Sequence, residues 1–219
     1  MKRLPPTSRS DLSPGTATLR VAHRVACSEA EGPHRRYALW VQGCSLRCPG
    51  CCNPELFAAE GGTVLTVDAL LADILAAQVE GVTFLGGEPL EQIAGVTALA
   101  DQVRAAGLGV LVFSGYTLAE IVALPGGPAL LAVVDTLVDG RFVAAAREPL
   151  DGRRVVGSRN QSLVHRTPRY ADPALWQGPP RVELQVGPDG ELGVHGDPDL
   201  ARRLARASIL LGPGVQARP

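Results

Sequence analysis

The sequence predicts an α/β fold built on a parallel sheet. Three observations carry this. Short apolar runs suited to strands buried on both faces recur at 82–85 (VTFL), 108–113 (LGVLVF) and 134–138 (VDTLV). Segments of helical period stand between them, and Gly or Pro punctuates the junctions. Strand–helix–strand alternation of this kind makes βαβ units whose sheet is covered on both faces.

The elements follow in order. Residues 1–15, rich in Pro, Ser and Arg, read as a flexible leader. Residues 18–27 (TLRVAHRVAC) and 36–42 (RYALWVQ) have strand composition and flank a turn-rich loop, SEAEGPHR. Segment 43–53 (GCSLRCPGCCN) holds two Gly and one Pro and reads as a loop. Thr66 caps a helix to about Glu80, with Leu70, Leu71, Ile74, Leu75 and Val79 on its apolar face and Gly81 as the stop. A second helix runs from about Pro89 to Ala106, where Gly107 suits the position after the cap. Thr117 and Glu120 make a capping box for a short helix that Pro125 closes. After residue 145 the chain turns polar. Residues 182–186 (VELQV) and 191–195 (ELGVH) read as a hairpin around GPDG (187–190). Asp197-Pro198 starts a final helix with Leu200, Leu204, Ile209 and Leu210 as packing positions, and the last residues read as loose.

Composition excludes several classes. A chain of 219 residues suits one domain with a modest appendage. An apolar share of 46% supports a real core and argues against disorder. With aromatics at 4%, that core must be mostly Val, Leu, Ala and Ile. A net charge of −1 argues against a protein that binds nucleic acid in bulk. No apolar run approaches the ~18–20 residues of a membrane span, and no apolar core follows the charged start, so a signal peptide is not expected. A cytoplasmic protein is expected. Five cysteines are an odd count for a secreted disulfide framework, and four of them fall between positions 44 and 52, with Cys27 outside.

In parallel sheets, ligands sit beyond the carboxyl ends of the strands. The chemically distinctive residues follow strands here. The cysteines follow 36–42, Gly86-Gly87-Glu88 follows 82–85, Ser114 follows 108–113 and Asp139 ends 134–138, which predicts one site on one rim. Cys44, Cys48 and Cys51 form C-x3-C-x2-C with Cys52 adjacent. Thiols this close suit a soft metal centre. Three readings stay open: reduced thiols without a ligand, structural zinc with Cys52 or His34 as fourth ligand, and a [4Fe–4S] cluster held by three thiolates, its fourth iron open to a small molecule.

The C-x3-C-x2-C spacing followed by a strand-borne GGEP resembles the radical S-adenosylmethionine (SAM) superfamily. More closely, residues 21–170 resemble the small activating enzymes of anaerobic ribonucleotide reductase, in EGPHRRYALWVQGCSLRCPGCCNPE (31–55), FLGGEPL (84–90), FSGYT (113–117), LVDGRF (137–142) and GSRNQ (157–161). The resemblance implies that Cys44, Cys48 and Cys51 bind three irons while SAM chelates the fourth. It implies that Gly86, Gly87 and Glu88 meet the methionyl amine, and that Gly50 and Cys52, which flank the third cysteine ligand, offer backbone to adenine. Ser114 and Asp139 are implied for SAM ribose and carboxylate contacts, against a helix-entry turn and an Asp-Gly turn as plain structural roles. In the 157–161 stretch Asn160 and Gln161 are implied for amide hydrogen bonds and Arg159 as a carboxylate partner, against a solvated loop. Two departures stand out: Cys52 replaces the aromatic that relatives usually carry, and Gly32-Pro33-His34 replaces their frequent Gly-Pro-Gly.

The implied activity is reductive cleavage of SAM to a 5′-deoxyadenosyl radical. Its implied protein substrate is a glycyl-radical enzyme, a class III ribonucleotide reductase, with a flavodoxin or ferredoxin as electron donor. A tailoring enzyme for a small metabolite or peptide, and a non-catalytic Fe–S or zinc module, are the rival functions. The implied core spans 16–170, with a hairpin and helix appendage over 171–219. About 150 residues are short for an eight-unit barrel of about 250, so a partial, open (β/α) barrel is expected.

Overall fold

The computed structural model describes residues 17–186 and 192–209. The leader over 1–15, the turn over 187–190 and the chain beyond 209 lie outside the described residues. Seven strands form one mixed sheet, in the order β3-β1-β2-β4-β5-β6-β7. β1 (Thr18–Ser28) runs antiparallel to both β2 (Arg36–Val41) and β3 (Thr63–Thr66). The next three pairings are parallel, joining β2 to β4 (Gly81–Gly86), β4 to β5 (Gly109–Phe113) and β5 to β6 (Thr136–Asp139). β7 (Ser162–His165) closes the order antiparallel to β6. A separate pair, β8 (Val182–Val186) and β9 (Leu192–Gly196), is antiparallel.

Strand alternation divides the core in two. Tyr37, Leu39, Val82, Phe84, Val110, Val112 and Leu137 face one way and pack with helices α1 (Val67–Ala76), α2 (Ile93–Ala105) and α4 (Gly127–Val133). Their neighbours Ala38 and Trp40 face the other way onto Leu56, and Leu111 and Val138 onto Val156, Tyr170 and Trp176. Both faces are therefore covered, one by helices and the other by irregular chain after β6. Among the described residues no α-helix of the strand–helix–strand units covers that second face, and a cavity opens there, with Ala201 and Arg202 of the final helix in its wall.

Local chemistry explains the boundaries. Thr66 caps α1 by accepting from the Ala69 amide, but α1 stops at Ala76 because Gln78 takes a positive φ of 51°, and Val79 turns back into the core. Pro89 opens a single 3-10 turn before α2 begins at Ile93. The capping box of Thr117 and Glu120 is formed at the start of α3 (Leu118–Ala123). β3, α4 and β7 are additional to the sequence reading, as four to seven residues give too few repeats of either period to register. α5 (Pro198–Ile209) begins where expected, but Leu204 is 42% exposed and does not pack. Leu75 is likewise half-exposed on α1. Among the described residues no helix is long and apolar enough to cross a membrane.

The amino ends of the parallel strands are tied by one buried cation. Arg36, fully buried, donates to Thr83 Oγ1 (2.8 Å), Glu80 Oε2 (2.8 Å) and the Tyr170 hydroxyl (2.6 Å). Its second Nη reaches the Val82 carbonyl and, at 3.3 Å, that of Gly109. Removing one member of a buried charge pair costs about 3–5 kcal/mol. Arg36→Ala is therefore expected to lower the unfolding free energy by about that much, and Tyr170→Phe by about 1.5–3 kcal/mol, both read from urea midpoints.

Candidate functional site

The cysteine loop is anchored at its root. The Gly43 amide donates to the Leu56 carbonyl (3.0 Å) and the Cys44 amide to that of Phe57 (3.4 Å). Gln42 Nε2 donates to the Ala58 carbonyl (2.7 Å), while Gln92 Nε2 donates to the Gln42 carbonyl (3.0 Å). Inside the loop, Cys51 N–H to Cys48 C=O (3.1 Å) closes a turn through Pro49 and Gly50, whose φ of 76° suits glycine. This turn brings Cys48 and Cys51 near each other in the chain. Cys44, Cys48 and Cys51 are half-buried and Cys52 is exposed, all reduced. The Cys52 thiol hydrogen-bonds to Cys51, which holds Cys51 down at about 6 and favours its thiolate, the form that ligates metal. Burial pushes the Cys44 thiol up.

The glycine–glutamate segment locks onto that root. Gly87 N–H donates to the Val41 carbonyl and Glu88 N–H to the Gly43 carbonyl, each at 2.8 Å. A Cβ on Gly87 would stand 2.1 Å from the Gly43 oxygen, and one on Gly86 2.5 Å from the Val41 nitrogen. The first demand on these glycines is thus close passage of the β2 backbone. Glu88 is 1% exposed. Its Oε1 accepts from the Leu90 amide (3.0 Å) and the Ser114 hydroxyl (2.8 Å), and its Oε2 from the Gly115 amide (2.8 Å). Burial nevertheless pushes its carboxyl up to about 7. Ser114 Oγ also accepts from the Tyr116 amide (3.0 Å).

A cavity of about 700 Å³ opens over these strand ends. Its wall brings together Cys44, Cys48, Gly50, Cys51, Cys52, Gly86, Gly87, Glu88 and Ser114. Asp139, Arg159 and Asn160 stand outside that wall. Asp139 Oδ2 accepts from the Leu118 amide (2.6 Å) and holds the start of α3. Asn160 Nδ2 donates to the Arg141 carbonyl (2.8 Å), and Arg159 is exposed, its amide on the Ala146 carbonyl (2.7 Å). Gln161, expected with them, does line the cavity, accepting from the Gly157 and Ser158 amides (each 3.0 Å) and donating to the Gly140 carbonyl (2.9 Å). Sequence reasoning missed the apolar wall of Trp40, Leu85, Phe113 and Phe142, although two of these phenylalanines sit inside the FSGYT and LVDGRF stretches. It also missed Glu31, Arg154 and His195, which carry no local signal.

The donor set suits a cluster. Among the described residues no three His, Cys, Asp or Glu side chains converge as a single ion requires. A cluster places each thiolate on its own iron, and Cys44, Cys48 and Cys51 line one cavity as such a donor set would.

Comparison with known proteins agrees. Residues 30–164 match the family described as "4Fe-4S single cluster domain". The chain is 32% identical over 143 residues to the anaerobic ribonucleoside-triphosphate reductase-activating protein of Salmonella typhi, covering 61% of this chain and 90% of that one. It is 33% identical over 146 residues to the protein of the same name from Escherichia coli (strain K12), with coverage of 61% and 90%. It is also 39% identical over 85 residues to the pyruvate formate-lyase-activating enzyme of Staphylococcus epidermidis, covering 36% and 34%.

Two outcomes follow from this geometry. Gly87→Ala is expected to cost about 1–3 kcal/mol through overpacking and to lower iron per chain after anaerobic reconstitution, because the added carbon displaces the loop root. Glu88 is held at about 7 against an ordinary 4.5, so the folded state favours its protonated form. Its contribution to stability is complete below pH 4.5 and is lost as pH rises through 7. Denaturation midpoints measured from pH 4 to 8 should therefore fall less steeply in Glu88→Gln than in the parent.

Proposed function

Because the chain belongs to the 4Fe-4S single cluster domain family, and within it to the radical SAM activating enzymes, we propose that it generates a glycyl radical on an anaerobic, class III ribonucleotide reductase. In this reading one [4Fe–4S] cluster is held by Cys44, Cys48 and Cys51, and SAM binds beside it. The carrying observation is that the cysteine loop, Gly86–Glu88 and Ser114 share one cavity and are bonded to one another at its rim. When bound, the cluster and SAM together supply reductive cleavage of a carbon–sulfur bond, giving methionine and a 5′-deoxyadenosyl radical that removes hydrogen from the substrate glycine.

The chain's own residues bind and orient. An ammonium beside Glu88 favours its ionised form; a carboxylate offers about four lone-pair sites, and the three bonds already made leave one for the methionyl ammonium. The Gly86 and Gly87 backbone borders the same space. Gly50 and Cys52 offer backbone to adenine, and Ser114 offers its hydroxyl. Asp139 and Asn160 reach SAM in this reading by exchanging their present partners, the start of α3 and the Arg141 carbonyl, and the exposed Arg159 side chain by swinging toward the cavity. Trp40, Leu85, Phe113 and Phe142 exclude water around the radical. The sheet is read as a partial, open barrel, a view supported by its strand order, in which β3 and β7 stand at opposite ends. An open side suits a large protein substrate. A flavodoxin or ferredoxin supplies the electron, and the cytoplasm is the expected setting.

Anaerobic reconstitution is expected to give about four irons per chain. Replacing Cys44, Cys48 or Cys51 by Ala should remove most of that iron and abolish release of 5′-deoxyadenosine. Incubating the reduced protein with SAM and a class III reductase should give a doublet glycyl-radical EPR signal. SAM cleavage with no doublet on any such partner would favour the tailoring enzyme, and stoichiometric zinc without iron would favour the non-catalytic module.

A further inference from the structure

Part of the cavity wall has no task in the reading above. Where the loop after β1 meets the β8–β9 pair, Glu31, Arg154 and His195 line the same cavity as the cysteines. Glu31 and His195 are 8% and 5% exposed. Burial holds the Glu31 carboxyl up at about 7 although it accepts from the Gly196 amide. Glu31 and Cys52 line the same cavity, so this wall shares its space with the cysteine loop. His195 Nε2 lies 3.2 Å from Glu183 Oε2, but out of hydrogen-bond alignment, and remains a buried side-chain nitrogen without a hydrogen-bond partner among the described residues. Burial also favours its neutral form. Glu183 Oε1 accepts from the Glu29 amide at 2.6 Å, which leaves Oε2 as the oxygen toward His195.

Arg154 differs from the other arginines of this wall. Arg147 pairs with Asp199 (2.9 Å), Arg153 with Glu148 (2.7 Å), Arg181 with Glu29 (2.8 Å) and Arg202 with Asp199 (3.7 Å). Arg154 has no carboxylate within ion-pair distance among the described residues. It donates only through Nη2, to the carbonyls of Glu29 (2.7 Å) and Gly32 (3.3 Å) that flank Glu31. Buried polar groups with open valences favour a partner that fills them. A guanidinium, a carboxyl and an imidazole line one stretch of this cavity, and Trp40, Val155 and Val194 add apolar wall around them. That combination suits neutral amides better than a phosphate or a second charge.

Resting on the proposed action upon a protein, we infer that Glu31, Arg154 and His195 form a subsite for main-chain amide groups of the substrate polypeptide beside its target glycine. Arg154 donates to a carbonyl oxygen, Glu31 accepts from an amide N–H, and His195 Nε2 meets a neighbouring polar group. They hold the segment and take no part in hydrogen transfer. The test uses cluster-loaded protein with SAM and a fluorescent synthetic peptide spanning the radical-bearing glycine of a class III reductase, read by anisotropy. Arg154→Ala is expected to raise the peptide Kd at least tenfold and Glu31→Leu similarly, at parental iron content. Arg154→Lys, which keeps charge and stem, should bind between Ala and the parent, and Glu31→Gln, which keeps an acceptor, should stay within about threefold of the parent. Parental binding that all four variants retain would overturn the subsite while leaving the activase reading intact. Failure of the parent protein to bind the peptide, together with no doublet on the whole reductase, would overturn both.

Discussion

The site depends on two backbone hydrogen bonds. Gly87 and Glu88, at the end of β4, donate to Val41 and Gly43, at the end of β2. These bonds extend the β2–β4 ladder past the strands and into the first residues of the cysteine loop. They form only because the segment starts with two glycines, whose missing Cβ atoms would otherwise stand inside the neighbouring backbone. Glu88 then carries the linkage one strand further, through Ser114 and Gly115 at the end of β5. Three strand ends are thereby fixed to one another, and the loop that holds the sulfurs is set against the carboxylate that faces them. A loop on an exposed rim would ordinarily be among the more mobile parts of a fold. Here its root is part of the sheet.

Much of this could be read from the residues. Continuous apolar runs marked β4 and β5, and the Thr117–Glu120 box marked α3, because each is a local signal of period or cap. The cysteine spacing and GGEP marked the site, because few other demands place four thiols in nine positions. What escaped was non-local. β3 and β7 are four residues each, and they exist because an edge of β1 and of β6 was free to pair. The apparent reach of α1 to Glu80 failed at Gln78, whose left-handed turn no residue type announces. Asp139 sits at a strand end as expected, yet its carboxylate turned to the helix start beside it, where an orphan amide lay closer than the cavity. Glu31 and His195 lie about 160 positions apart, and only the folded chain brings them to one wall.

The cavity has two characters. Toward the cysteines it is ringed by backbone, the carboxyl groups of Glu55 and Glu88 and aromatic side chains, a setting in which ligands are held by few but well-placed polar groups. Toward the β8–β9 pair it is lined by arginines and carboxylates, most of them already matched. The contrast follows from construction. The first wall is made of strand ends, where main-chain groups are abundant. The second is made of loops and the appended strands, where side chains supply the polarity.

The buried Arg36 cluster lies at the opposite pole of the sheet from the cysteines. It joins β2, β4, β5 and the Tyr170 turn at the strand starts, while the chemistry sits at the strand ends. The two poles share strands, and the frame meets the second wall of the cavity where the Thr83 hydroxyl, itself bonded to Arg36, donates to the Glu31 carbonyl (2.9 Å), so the cysteine rim and its loops can diverge between descendants of this fold without loosening the frame. Substrate choice can drift by changes around Arg154 or the β8–β9 pair, while the residues that keep the strands together stay as they are. Such a division lets one scaffold be inherited by many activities.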